Sequence, residues 1–157
     1  MAGLEPRGFT WVINGKLAVS ERIGGYGIQH RRVRREEEIL WLVDAGINSV
    51  VSLLAGNQNE AAYELAGLAY AHYVVDEDFD VDEAPAIFAV LSEAMKPADA
   101  VVLLHRDLVD DTVVGLLGGF LVHTGLVEDP IVATATIQEI IGRAMGPEGR
   151  RLISQKA

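Results

Sequence analysis

Apolar residues follow two rhythms along this chain, short β-branched runs and helical stripes, and the two alternate. Over residues 9–19 apolar positions alternate around Asn14-Gly15, a dipeptide that tolerates the positive φ angles of a tight turn, which predicts a small β-hairpin. The run 48–54 is apolar and β-branched, as suits a strand buried on both faces of a sheet, and 68–75 and 100–104 predict two further strands. Helical spacing governs the rest. Ile39, Leu42 and Val43 form a stripe that Gly46 ends, with Glu36, Glu37 and Glu38 in the first turn and the basic run His30-Arg31-Arg32-Val33-Arg34-Arg35 just ahead of it. A helix over 59–66 is capped by Gly67, Pro85 opens another that runs to about 95, and a long apolar one spans about 112–124 before Gly125. Pro130 opens a helix to about 141, and the tail adds a short last turn.

Strands that alternate with helices argue for an α/β layer structure, here read as one three-layer domain over 1–157 with a central, mostly parallel sheet and an N-terminal hairpin. Composition supports a packed core: half the residues are apolar, with 16 Gly and 5 Pro. Charge then narrows function. Against 13 Lys and Arg stand 23 Asp and Glu, a net of -10, which repels polyanions over most of the surface, so nucleic-acid binding is not expected. Cysteine is absent, which removes disulfides, thiolate metal sites and any cysteine nucleophile. With no signal-like or membrane-spanning run in sight, the expected compartment is the cytoplasm, with no membrane partner.

Functional groups in open α/β sheets gather beyond the carboxyl ends of the strands. Two loops qualify: the acidic stretch Asp76-Glu77-Asp78-Phe79-Asp80-Val81-Asp82-Glu83, and the octapeptide His105-Arg106-Asp107-Leu108-Val109-Asp110-Asp111-Thr112 between a buried strand and a helix. The second arrangement resembles the protein tyrosine phosphatase superfamily, particularly the small dual-specificity phosphatases, with their signature His-Cys-x-x-Gly-x-x-Arg-Ser/Thr. Residues 15–20, 37–54 and 73–78 are similar to the family's opening strand, its first helix and strand, and its acid loop. The resemblance implies a general acid at Asp76 or Asp78. It also exposes the departures: Arg106 stands at the nucleophile position, Val109 at the glycine and Thr112 at the phosphate-binding arginine. With one residue missing from the loop, Thr112 becomes the Ser/Thr and Asp111 takes the arginine place.

Thiolate and guanidinium are absent from those places in either register, so covalent phosphocysteine chemistry is excluded. The expectation is a phosphatase-like domain kept for binding or regulation, needing no cofactor. The loop holds one arginine against three aspartates. A carboxylate facing a phosphate charge at about 4 Å costs roughly 4 kcal/mol at an effective dielectric near 20, and a helix N-terminus returns about 0.3–2 kcal/mol. Anion binding there requires Arg106 and the run Arg31, Arg32, Arg34 and Arg35 to turn inward. Alternatively, Arg106 plugs the cradle among Asp107, Asp110 and Asp111.

A second class of reading is a carboxylate- or metal-assisted hydrolase. Asp107, Asp110 and Asp111, meeting Asp76, Asp78 or Asp80 and joined by His105, would offer hard ligands to Mg²⁺, Ca²⁺ or Mn²⁺. The plain structural alternative makes these acids solvated loop residues, with Asp110 or Asp111 capping the following helix. The basic run is either a solvated loop balanced by Glu36 to Glu38 or a docking patch for a small anionic or other acidic ligand, a phosphorylated partner protein or the acidic loop of a second copy in a homodimer. His105-Arg106-Asp107 also matches the opening of a kinase catalytic loop, but Thr112 stands where that motif has Asn and no glycine-rich phosphate loop precedes it. His30, His72 and His123 make no metal spacing, and Trp11 and Trp41 read as core.

Overall fold

The computed structural model describes residues 3–25, 31–57 and 59–153; Gly27, His30 and the last residues of the tail lie outside the described residues. Its strands are β1 (Thr10–Ile13), β2 (Leu17–Ser20), β3 (Ser49–Ser52), β4 (Ala69–His72) and β5 (Val102–His105). Its helices are α1 (Arg32–Asp44), α2 (Glu60–Leu65), α3 (Ala84–Ala94), α4 (Asp111–His123), α5 (Pro130–Ile141) and α6 (Pro147–Arg151). Val81–Glu83 forms a short 3₁₀ turn ahead of α3. The chain divides into two compact units: residues up to Asp78 with Val90–Leu108, and Phe79–Ala89 with the residues from Val109 on. Among the described residues no helix is long and apolar enough to cross a membrane.

The first unit carries the sheet, in the order β1-β2-β5-β3-β4. β1 pairs antiparallel with β2, and every other pairing is parallel. The hairpin turn closes through Lys16 N–H donating to Ile13 O at 2.9 Å. Only Gly15 takes a positive φ, +72°, whereas Asn14 does not, so one glycine meets the conformational demand that the pair Asn-Gly had suggested. Every residue of β2, β3 and β5 is buried, while edge strand β4 is half-exposed. Ala18, Val50 and Leu103 from the three inner strands form one cluster with Ile39 and Leu42 of α1 and Tyr63 of α2. Each such large side chain withdrawn from water contributes about 1.5–3 kcal/mol.

One element differs from its sequence-based expectation. The basic run does not precede α1; Arg32 to Arg35 form its first turn, and the glutamates occupy the second. Side chains four apart meet on a helix, so Arg32 reaches Glu36 at 3.1 Å and Arg34 reaches Glu38 at 2.9 Å, which offsets basic residues at the positive end of the helix dipole. Val43, counted in the apolar stripe, is 46% exposed, and the stripe narrows to Ile39 and Leu42.

The second unit is built on α4, buried continuously from Val113 to Leu121. Gly115, Gly118 and Gly119 explain how so apolar a helix is covered on several sides. A Cβ on Gly115 would strike the backbone of Gly149 in α6, one on Gly118 the side chain of Ile153, and one on Gly119 the carbonyl of Leu152 and the ring of Phe88. The glycines cost helix propensity, about 0.8–1 kcal/mol each, and permit backbone approach that larger residues exclude. Gly115→Ala is therefore expected to destabilise by about 1–3 kcal/mol despite the better helix former, because the struck atoms are main chain. Urea unfolding of the variant beside the parent checks this, and an unchanged midpoint would refute the close-packing account.

Candidate functional site

At the carboxyl end of central strand β5, His105 sits in parallel register between Ser20 of β2 and Ser52 of β3 and is fully buried. Its Nε2 lies 2.9 Å from the hydroxyl of Tyr63, also fully buried. Asn59 Nδ2 donates to Ile23 O at 2.8 Å and approaches the Tyr63 oxygen at 3.4 Å. His105 Nδ1 is buried with no hydrogen-bond partner among the described residues. Burial, reinforced by the charge of Arg22 and by His72, pulls the His105 pKa from 6.5 to about 3. The imidazole is thus neutral at physiological pH. Burial pushes the Tyr63 phenol well above its ordinary range.

Beyond His105 the first unit places Arg106 and Asp107. Arg106 Nε donates to Val75 O at 3.0 Å, which ties the end of β5 to the base of the acid loop. Asp107 is held by Arg22: its carbonyl accepts from the Arg22 N–H at 3.3 Å, and its carboxylate lies 3.8 Å from the guanidinium. Asp76 and Asp78 are exposed, and Asp76 Oδ1 accepts the N–H of Asp78 at 2.9 Å in a local turn.

Asp110, Asp111 and Thr112 belong to the second unit. Asp110 is the N-cap of α4, its Oδ1 accepting from Val113 N–H at 3.1 Å. Asp111 is the first residue of that helix and caps another: its two carboxylate oxygens accept the N–H groups of Gly146 and Gly149, each at 2.7 Å. Gly146 is the N-cap of α6 and has no side chain of its own to offer, so Asp111 supplies the missing acceptor together with charge favourable to the dipole. Thr112 is half-buried in the first turn of α4. Asp80 caps the 3₁₀ turn through Asp82 N–H at 3.1 Å, and Glu83 Oε2 returns a bond to Asp80 N–H at 2.9 Å. Among the described residues, no group of three or more His, Asp or Glu side chains is arranged to hold a metal ion.

The basic run is divided in its bonding. Arg32 and Arg34 are paired within α1, and Arg31 donates its backbone N–H to Gly24 O at 2.8 Å. Glu38, completely buried, accepts Gly24 N–H at 2.7 Å with one oxygen and Arg34 Nε at 2.9 Å with the other. Arg35 Nε is buried with no hydrogen-bond partner among the described residues.

Residue patterns singled out neither Tyr63, Asn59 nor Glu38, although each organises the site. The signals available were the spacings of Asn59 with Tyr63 and of Arg34 with Glu38, four residues apart on one helical face. Such spacings are common on solvated helices, so burial alone distinguishes these pairs.

No protein-family model and no curated protein matches the sequence. Solved structures do. The kinase associated phosphatase with its catalytic-site cysteine substituted by serine superposes with a TM-score of 0.74 at 14% identity, covering 94% of this chain and 92% of that one. The core catalytic domain of the S. cerevisiae PP-IP phosphatase SIW14 gives 0.69 at 12% identity over 97% and 86%, and the Cydia pomonella PTP-2 phosphatase 0.65 at 17% over 92% and 87%. The chain therefore has an α/β fold of the tyrosine and dual-specificity phosphatase type.

The depressed His105 pKa has a defined pH consequence. An imidazole that is neutral when folded and titrates near 6.5 when unfolded gives stability that is fully present above pH 6.5 and lost as pH falls from there towards about 3. Denaturant unfolding between pH 6.5 and 5, above most carboxylate titration, is expected to lose up to about 1.4 kcal/mol per pH unit from this group. His105→Asn is expected to be less stable at pH 7 and flatter over that window; an equal slope in both proteins would refute a buried neutral imidazole.

Proposed function

We propose that this phosphatase fold no longer cleaves phosphate esters and serves as a cytoplasmic binding or regulatory module for a partner protein. The observation carrying the reading is at the start of α4, where the carboxylate of Asp110 accepts from the Val113 N–H, a donor that an incoming phosphoryl oxygen would otherwise use. An anion brought there must displace a bond worth about 1 kcal/mol and face a like charge, a repulsion of roughly 4 kcal/mol at about 4 Å and an effective dielectric near 20. Asp111, in the arginine place of the shortened register, likewise has both oxygens committed to α6.

The nucleophile position supports the same conclusion. Arg106 stands there in a chain without cysteine, and its Nε is bonded to the Val75 carbonyl. A guanidinium, always protonated, offers no lone pair for attack. The kinase associated phosphatase neighbour carries serine at its catalytic-site cysteine, so that architecture stands without its thiol. A metal-assisted hydrolase would need clustered ligands, and among the described residues no group of three or more His, Asp or Glu side chains could hold a metal ion.

The test is turnover of p-nitrophenyl phosphate together with thermal shift in inorganic phosphate or vanadate. Purified protein is expected to show hydrolysis at the buffer rate and no anion-dependent rise in Tm. Arg106→Cys is expected to stay inactive, since a thiol alone restores neither the arginine clamp nor a free α4 terminus. Hydrolysis above buffer that is lost in Asp76→Asn or His105→Asn would overturn the proposal.

A further inference from the structure

A groove of about 530 Å³ runs between α1 and α2 in the first unit, with no residue of the 105–112 loop in its lining. Its lining includes Ile39, Leu40, Ala62 and Leu65, together with Arg32 and Arg35. Leu65 is 92% exposed and Leu40 51%, so two leucines stand in solvent on either side of a concave apolar surface. Apolar residues scattered singly on a surface need no explanation; paired across a groove, they mark an interaction surface.

Charge selects the occupant. Arg32 and Glu36 in the lining neutralise each other at 3.1 Å. Arg35 Nε is buried without a hydrogen-bond partner, and no ion pair holds its guanidinium among the described residues. Arg35 therefore adds to the lining a positive charge that no ion pair holds among the described residues, beside the positive end of the α1 dipole, on a protein whose net charge is -10. An acidic segment is repelled by most of the surface and attracted here. Two helices bounding a groove that offers apolar anchors and one cation have the form that receives an amphipathic helix.

We propose that the α1–α2 groove docks an acidic amphipathic helix of a partner protein, its apolar side chains set between Leu40 and Leu65 and a carboxylate paired with Arg35. The inference deepens the binding-module reading and rests on it, since it names the surface through which such a module would act. Arg35 answers to the docking requirement: a guanidinium on an apolar wall gains most from a carboxylate that arrives with its own apolar neighbours and excludes water.

Fluorescence anisotropy with two labelled synthetic helical peptides, sharing leucines at i, i+4 and i+7 and flanked by Glu in one and Lys in the other, tests the proposal. The acidic probe is expected to bind saturably and to weaken with salt, and the basic probe to bind at least about tenfold less tightly. Leu65→Asp, at a solvent-exposed position that folding does not depend on, should weaken the acidic probe at least about tenfold. Arg35→Glu should shift preference towards the basic probe. Failure of both probes to bind, equal binding of the two, or binding unaffected by Leu65→Asp would overturn it. So would a concentration-dependent dimer that Leu65→Asp dissociates and the acidic probe leaves intact, since the occupant would then be a second copy. Phosphate-ester turnover recorded on the same samples separates the failures: turnover with intact probe binding sinks the inactive reading alone, and lost probe binding without turnover sinks the groove alone.

Discussion

The central strand of this protein's sheet ends on a buried imidazole that must stay neutral. His105 ends the central strand β5 with both neighbouring strands in register beside it, where no water reaches it. A ring nitrogen left unpaired in such a place costs about 1–3 kcal/mol; Nε2 is met by Tyr63 of α2, whereas Nδ1 has no partner among the described residues. Tyr63 in turn is positioned by Asn59, whose amide also holds the carbonyl of Ile23. One polar chain thus joins β5, α2 and the segment following β2.

Glu38 makes the second tether on that segment. Its carboxylate is buried yet fully bonded, to Gly24 N–H on one side and Arg34 on the other. A buried carboxylate is tolerable only with such compensation. Together the two arrangements place the 22–25 segment, α1 and α2 in one frame. That frame leaves the α1–α2 groove open and puts Arg22 where it meets Asp107.

Chemistry at the loop follows from what its acids already do. Asp76 stabilises its own turn, Asp107 meets Arg22, Asp110 caps α4 and Asp111 caps α6. Each interaction is modest, about 0.5–2 kcal/mol for a cap, but together they commit the carboxylates to structural partners. Leu40 and Leu65, both exposed, line the α1–α2 groove together with Arg35.

The elements were legible because their signals are local. β-branched runs at β3 and β5, Pro130 opening α5 and Gly125 following α4 act within a few residues, so pattern alone located them. Position 106 was equally legible: a chain without cysteine cannot perform phosphocysteine chemistry in any fold. The start of α1 was misplaced because charge near a helix terminus predicts one boundary, whereas pairs four residues apart, Arg32 with Glu36 and Arg34 with Glu38, stabilise another. Only the tertiary structure decided which polar groups leave water. Tyr63, Asn59 and Glu38 look like ordinary surface residues in sequence, and their roles arise from burial and from partners distant along the chain, which no local pattern encodes.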